Sequence, residues 1–121
     1  MIENDTIAAV ASGVGGAVTL IRVSGGGAIA AGDRIFRGVR GRRLADARGF
    51  TILYGTIRDG ETVVTVLVSV FRAPHSYTGE DMIEVSCHAS AYIQREVMRL
   101  LVESGYGRPN PAIYAAGIPG R

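Results

Sequence analysis

The chain has 121 residues, 47% of them hydrophobic, and a formal net charge of +2, which fits one globular domain with a packed core. A single cysteine excludes an internal disulfide and favours a reducing compartment. No apolar run reaches the roughly 20 residues that span a bilayer, and no secretory signal opens the chain. We therefore expect a cytoplasmic protein with no membrane partner.

The N-terminal part predicts a β-hairpin followed by a helix. Residues 6–10 and 17–23 are apolar or β-branched and flank a glycine-rich turn, as paired strands do. Residues 28–36 place apolar side chains at helical spacing.

Arginines cluster in and beside a loop predicted for residues 37–49. The cluster consists of Arg34, Arg37, Arg40, Arg42, Arg43 and Arg48. Such a basic stretch is a feature of nucleic-acid-binding surfaces. However, Gly38 and Gly41 interrupt the run and few aromatic residues interleave with it, so we favour a solvated loop over a nucleic-acid interface.

The C-terminal part predicts three strands and a helix. Residues 50–58 and 62–71 flank Asp59-Gly60, a two-residue hairpin signal. The valine-rich run 62–71 indicates burial on both faces. A strand at 81–86 and a helix at 90–104 follow. The order β-β-α-β-β-β-α predicts a single α+β domain with a mixed or antiparallel sheet and helices on one face.

The densest group of polar side chains lies at the edge of this apolar core, where small polar ligands bind. It reads Ser76-Tyr77-Thr78-Gly79-Glu80-Asp81-Met82-Ile83-Glu84-Val85-Ser86-Cys87-His88. Strand alternation places Glu84 opposite Ile83 and Val85. Its carboxylate can accept two N–H bonds from a ligand that presents a pair of donors, although an ordinary solvent-facing glutamate fits the residues equally well.

Other residues extend this candidate site. Arg22 lies in an apolar strand, where its planar guanidinium either points to solvent or donates to a ligand. Tyr77 can stack on a flat ring or cover the core. Gly79 indicates a backbone conformation that a Cβ would resist, and Glu80 or Asp81 is expected to cap a backbone turn.

Catalytic, metal and GTP sites are not expected in this chain. Cys87 and His88 are adjacent on a strand and therefore point to opposite faces, so we favour a buried free thiol over a nucleophile or a metal ligand. The glycine-rich stretches 13–16 and 25–27 are turns. Neither is followed by the Gly-Lys-Ser/Thr of a phosphate-binding loop, and the chain has no lysine.

Two motifs together resemble the N-terminal domain of the tRNA-modification GTPases MnmE (TrmE). The first, Asn-Asp-Thr-Ile-Ala-Ala at 4–9, leads to Leu-Ile-Arg-Val-Ser-Gly at 20–25. The second is Arg-Ala-Pro-His-Ser-Tyr-Thr-Gly-Glu-Asp at 72–81, followed by Glu84 and then Cys87-His88. The resemblance covers about residues 4 to 106. It departs at the first loop, and at 89–90, where the family has Gly-Gly.

The resemblance implies a folate-binding and dimerisation domain over residues 1–107, similar in fold to folate-binding aminomethyltransferase-type domains. The implied cofactor is a tetrahydrofolate derivative, 5-formyl- or methylene-tetrahydrofolate. Arg22 and Glu84 would orient its pterin. The residues implied beside it are Tyr77, Ser76, Thr78 and Gly79.

In this family the full-length protein acts with a flavin-dependent partner to modify the wobble uridine of tRNA, with folate supplying the one-carbon unit. The chain by itself is expected neither to hydrolyse GTP nor to modify tRNA. Two alternatives stay open. One is a dimerisation scaffold with an incomplete folate pocket. The other is a stand-alone folate-dependent aminomethyltransferase-like enzyme, with Asp81 as its candidate catalytic group.

The tail at 108–121 departs from the family and is predicted to be irregular. DNA that encodes its last residues can, when read one base later, encode Tyr-Thr-Gln-Arg-Ala-Phe-Leu-Ala. That sequence resembles the segment following this helix in the family. We therefore hypothesise a frameshift near Pro111, which sequencing of the coding DNA would test.

Overall fold

The computed structural model describes residues 6–11, 16–103 and 113–116. One mixed sheet of seven strands, in the order β3-β4-β5-β6-β2-β1-β7, carries two helices. Every pairing is antiparallel except that of β7 with β1. The elements are β1 (Thr6–Val10), β2 (Val18–Ser24), α1 (Ala28–Ile35), β3 (Phe36–Gly38), β4 (Thr51–Asp59), β5 (Thr62–Phe71), β6 (Met82–His88), α2 (Ala91–Glu103) and β7 (Ile113–Ala116).

The predicted α+β class is confirmed, with both helices on one face of the sheet. Helices α1 and α2 contact each other as well as the strands, so they share that face. The core between helices and sheet includes buried Ile21 from β2, Val68 from β5, Ile83 from β6 and Leu101 from α2. Each such side chain stabilises the fold by about 1.5–3 kcal/mol relative to exposure.

Local signals predict most elements well. The β1–β2 hairpin forms as expected, and the Asp59-Gly60 turn joins β4 to β5, with Gly60 at a φ of 61°. Both helices lie within a residue of their predicted bounds. In the described residues, no helix has the length and hydrophobicity needed to cross a membrane.

Three predictions about strands were wrong. Strand β5 is not buried on both faces, because it alternates between buried Val66 and Val68 and exposed Val63 and Leu67. Strand β3 occupies the start of the predicted loop, where it gains hydrogen bonds from the edge of β4. Residues 113–116, predicted to be irregular, pair with β1. In both new strands, distant backbone partners override weak local preference.

Close approach of β3 to β4 requires a glycine at Gly55. A Cβ there would collide with the carbonyl oxygen of Arg37 and lie 2.7 Å from the Phe36 ring. We predict that Gly55→Ala lowers the free energy of unfolding by roughly 1–3 kcal/mol, the usual cost of overpacking, as measured by urea denaturation. Gly16→Ala is the control, since its Cβ would lie no closer than 3.8 Å to another atom. Equal stability of the two variants would contradict the packing argument.

Candidate functional site

The candidate site lies on the open face, which we define as the face of the sheet opposite the helices. Strands β2 and β6 bring Arg22 directly opposite Glu84. Both side chains point to the open face because their neighbours Ile21, Val23, Ile83 and Val85 are buried in the core. This local alternation was predicted for Glu84, and the structure confirms it.

Arg22 and Glu84 form an ion pair with each other. Arg22 Nε and Nη2 donate to Glu84 Oε2 at 2.9 and 2.6 Å, and the side chains are 35% and 13% exposed. The sequence predicts two separate ligand contacts and does not predict this pairing. Within the described ranges of the chain, no bond uses Arg22 Nη1 or Glu84 Oε1, so one donor group and one acceptor atom are available there for a further partner.

Tyr77 covers this ion pair from the loop between β5 and β6. The Arg22 Cζ atom lies 4.8 Å from the centre of the Tyr77 ring, a cation–π geometry. Tyr77 also packs against Phe71, at 5.9 Å between ring centres, and its ring remains largely exposed. A cation, a carboxylate and an accessible aromatic ring therefore adjoin one another on the open face.

Short-range hydrogen bonds shape the Tyr77 loop. Gly79 has a φ of 82°, which confirms the prediction of a conformation disfavoured by a Cβ. The Ala73 amide donates to Asp81 Oδ1 at 2.8 Å, which confirms that one of the two acidic residues caps a turn. Asp81 thus holds the loop, and this role does not require it to be a catalytic group.

The hydroxyl groups of Ser76 and Thr78, which were predicted to lie at the site, form hydrogen bonds with other groups of the protein. Ser76 Oγ donates to the Glu80 carbonyl. The hydroxyls of Thr78 and Ser24 are 2.6 Å apart, which ties the loop to the end of β2. Ser24 and Phe71 were not identified from the sequence as parts of the site. The Ser24-Gly25 that ends the Leu-Ile-Arg-Val-Ser-Gly motif is a sequence signal that could have indicated Ser24.

Cys87 is a buried free thiol, as predicted. Burial raises the pKa of Cys87 because the apolar surroundings disfavour the thiolate. His88 is exposed, consistent with its opposite direction on β6. Among the described residues, no three histidine, cysteine, aspartate or glutamate side chains converge on a possible metal position.

An apolar patch extends the open face away from the ion pair. We define the patch as Phe50, Ile52, Tyr54, Val63 and Leu67, which are all exposed. Tyr54 and Leu67 are partners across β4 and β5. The ring of Phe50 contacts Phe71 edge-on at 5.9 Å, and Phe71 in turn contacts Tyr77. The patch and the candidate site are therefore continuous.

Comparison with known proteins is consistent with the two sequence motifs. The family described as "GTP-binding protein TrmE N-terminus" matches residues 6–113. The "tRNA modification GTPase MnmE" of Bacteroides thetaiotaomicron is 47% identical over 115 residues, covering 93% of this chain and 25% of that protein. The protein of the same description from Chlorobaculum tepidum is 44% identical over 107 residues, covering 86% of this chain and 23% of that protein. The chain thus spans about a quarter of the length of these curated relatives.

The Arg22–Glu84 pair should be energetically coupled. In a double-mutant cycle of Arg22→Ala and Glu84→Ala, we predict a coupling of about 1 kcal/mol in the free energy of unfolding. This coupling is larger than that of a typical surface pair because the two side chains are partly buried and share two hydrogen bonds. The exposed helical pair Arg99–Glu103, 3.0 Å apart, is the reference, with about 0.3–0.5 kcal/mol expected. Coupling at Arg22–Glu84 no larger than at the helical pair would show that solvent screens the site.

Proposed function

Because this chain belongs to the family of TrmE N-terminal domains, we propose that it is a folate-binding, self-associating module of a tRNA-modifying GTPase. The chain itself would bind folate and pair with a second copy. GTP hydrolysis and the remaining chemistry would belong to other parts of the whole protein, which we propose acts in the cytoplasm with tRNA and a flavin-dependent partner.

The observation that carries this proposal is the cluster of Arg22, Glu84 and Tyr77. A pterin has a planar ring, a carbonyl acceptor and an aminopyrimidine edge rich in N–H donors. Glu84 supplies the matching acceptor, Arg22 supplies donors for the carbonyl, and Tyr77 supplies a ring face. Charge-assisted bonds of this kind are stronger than neutral ones.

A bound folate would therefore replace part of the Arg22–Glu84 interaction with its own hydrogen bonds to these two side chains. Glu84 Oε2 already accepts both Arg22 bonds, whereas Oε1 makes no bond recorded among the described residues. We propose that the pterin edge approaches Oε1 and that Ser76, Thr78 and Gly79 keep the Tyr77 loop beside it. Two of these residues act through hydrogen bonds inside the loop and to Ser24.

Self-association is supported by the apolar patch. Exposed apolar side chains concentrated on one area mark an interaction surface, and the patch is continuous with the candidate site through Phe71. A second copy packed on the patch would exclude water beside the ion pair. Folate pockets would then lie near the interface of the dimer.

A dimerisation scaffold without folate affinity is the competing function. One observation favours it, namely the direct bond between Arg22 and Glu84. Each side chain already supplies part of the hydrogen bonding that the other would otherwise make with a ligand. The two functions share the apolar patch and differ only in ligand binding.

Folate binding is tested by calorimetric titration of the chain with 5-formyl-tetrahydrofolate. We predict saturable binding, weakened about 10- to 100-fold by Glu84→Gln, because the amide replaces a charged acceptor worth roughly 1.5–3 kcal/mol. Glu61→Gln removes the same charge at an exposed residue outside the site and should leave the affinity unchanged. Absence of binding by the folded chain would leave the scaffold function. Equal losses in both variants would refute a specific role of Glu84.

Self-association is tested by sedimentation analysis of Tyr54→Glu. We predict that a charge in the patch converts the dimer to monomer, because it would be buried without a partner. Tyr92→Glu on α2 is the matched control, since Tyr92 and Tyr54 are 52% and 56% exposed. Dimers that survive Tyr54→Glu, or dissociate only with Tyr92→Glu, would place the interface elsewhere.

A further inference from the structure

The arginine loop, which we define as residues 37–48, is held in place from both sides. The carboxylate of Asp33 accepts the Leu44 and Ala45 amides at 2.7 and 2.9 Å. From the other side, Arg72 Nη2 donates to the carbonyls of Ala45 and Ala47, both at 2.9 Å. Hydrogen bonds from these two side chains satisfy backbone amides and carbonyls in residues 44–47, which lie outside the strands of the sheet.

The loop also has a specific backbone turn. Arg40 has a φ of 63° and Gly41 a φ of 73°, so two consecutive residues adopt the left-handed conformation that reverses the chain. A Cβ at Gly38 would collide with the Arg42 carbonyl. The two ends of the turn therefore lie against each other, and the arginines on both sides of it are brought together.

The turn borders an open cleft with a volume of about 410 Å³. Its lining consists of Asp33, Phe36, Arg37, Gly38, Gly41, Arg42 and Arg43. Asp33 is the one carboxylate in this lining, and its side chain is only 7% exposed. Asp33 is already bonded to two amides and lies 3.7 Å from Arg43. Three arginines of the lining therefore outnumber its one carboxylate, which gives the lining a net positive formal charge.

Positive charge is concentrated around this cleft rather than spread over the chain. Six arginines against two aspartates give residues 33–48 a formal charge of +4, whereas the whole chain carries +2. Arg37, Arg40, Arg42, Arg43 and Arg48 are exposed. In the described part of the chain, no carboxylate is recorded within ion-pair distance of Arg40, Arg42 or Arg48.

The sequence alone favours a solvated loop, but Asp33 and Arg72 hold this loop in a defined conformation. We propose that the arginine loop binds the phosphate backbone of RNA. Guanidinium forks match phosphate oxygens in a two-point geometry, and a fixed group of them fits a chain of phosphates better than a single small anion. RNA is favoured over an acidic protein because the relatives are described as tRNA modification GTPases. The inference therefore rests on the proposed function and extends it to a surface at the β3 edge, separate from the β2–β6 site.

The test measures binding of a fluorescent tRNA transcript to the chain by anisotropy, across a series of salt concentrations. Release of counterions makes such binding weaken as salt rises. The double variant Arg40→Gln with Arg42→Gln should weaken binding at least about tenfold and lower the slope of log affinity against log salt by about 2, one unit for each lost phosphate contact. The matched control is Arg95→Gln with Arg99→Gln on α2, which removes the same formal charge and should preserve both values.

If the glutamine variant loses its fold, a charge-retaining variant, Arg40→Lys with Arg42→Lys, still tests the proposal. This lysine variant should keep the slope of log affinity against log salt that the unsubstituted chain shows. Equal loss in the loop and α2 variants, or no tRNA binding at low salt, would overturn the proposal. Folate titration separates the two functions. An unsubstituted chain that binds folate but not tRNA refutes the RNA site alone, whereas the loop variants should bind folate as the unsubstituted chain does.

Discussion

The antiparallel pairing of β2 with β6 is the constraint on which the candidate site depends. Seven consecutive pairs run from Val18 opposite His88 to Ser24 opposite Met82. The buried neighbours of Arg22 and Glu84 fix this register, because a shift by one residue would turn each side chain to the other face. A slip of β6 would place Glu84 in the core and expose Ile83 and Val85, and a slip of β2 would place Arg22 there and expose Ile21 and Val23. Hydrophobic packing thus determines where the ion pair lies.

The two faces of the sheet have different roles. One face is covered by α1 and α2 and supplies the stability of the fold. The other carries the ion pair, the Tyr77 loop and the apolar patch in one continuous surface. Its exposed apolar side chains have no helix over them in the described residues, and a second copy is the partner that we propose. The arginine loop lies apart from this surface, at the β3 edge, where Asp33 and Arg72 hold it.

Alternation and turn chemistry predict the local structure well. The Asp59-Gly60 turn, the left-handed Gly79, the turn-capping Asp81 and the directions of Cys87 and Glu84 all follow from residues close together in the sequence. Interactions between distant segments were not predictable in this way. The bond of Arg22 to Glu84 depends on the β2–β6 register, and β3 and the strand at 113–116 depend on the free edges of β4 and β1. The prediction that β5 is buried on both faces was wrong because a valine-rich composition does not distinguish a buried face from an exposed one.

The central claim is that the open face around Arg22 and Glu84 binds folate. The most direct test is a nuclear magnetic resonance titration of the isotope-labelled chain with 5-formyl-tetrahydrofolate, following the Arg22 Nε–H signal and the backbone amides. Folate binding at this face predicts a saturable shift of the Arg22 signal, with amide changes concentrated in β2, β6 and the Tyr77 loop. An unchanged Arg22 signal, or changes concentrated in the arginine loop, would contradict it.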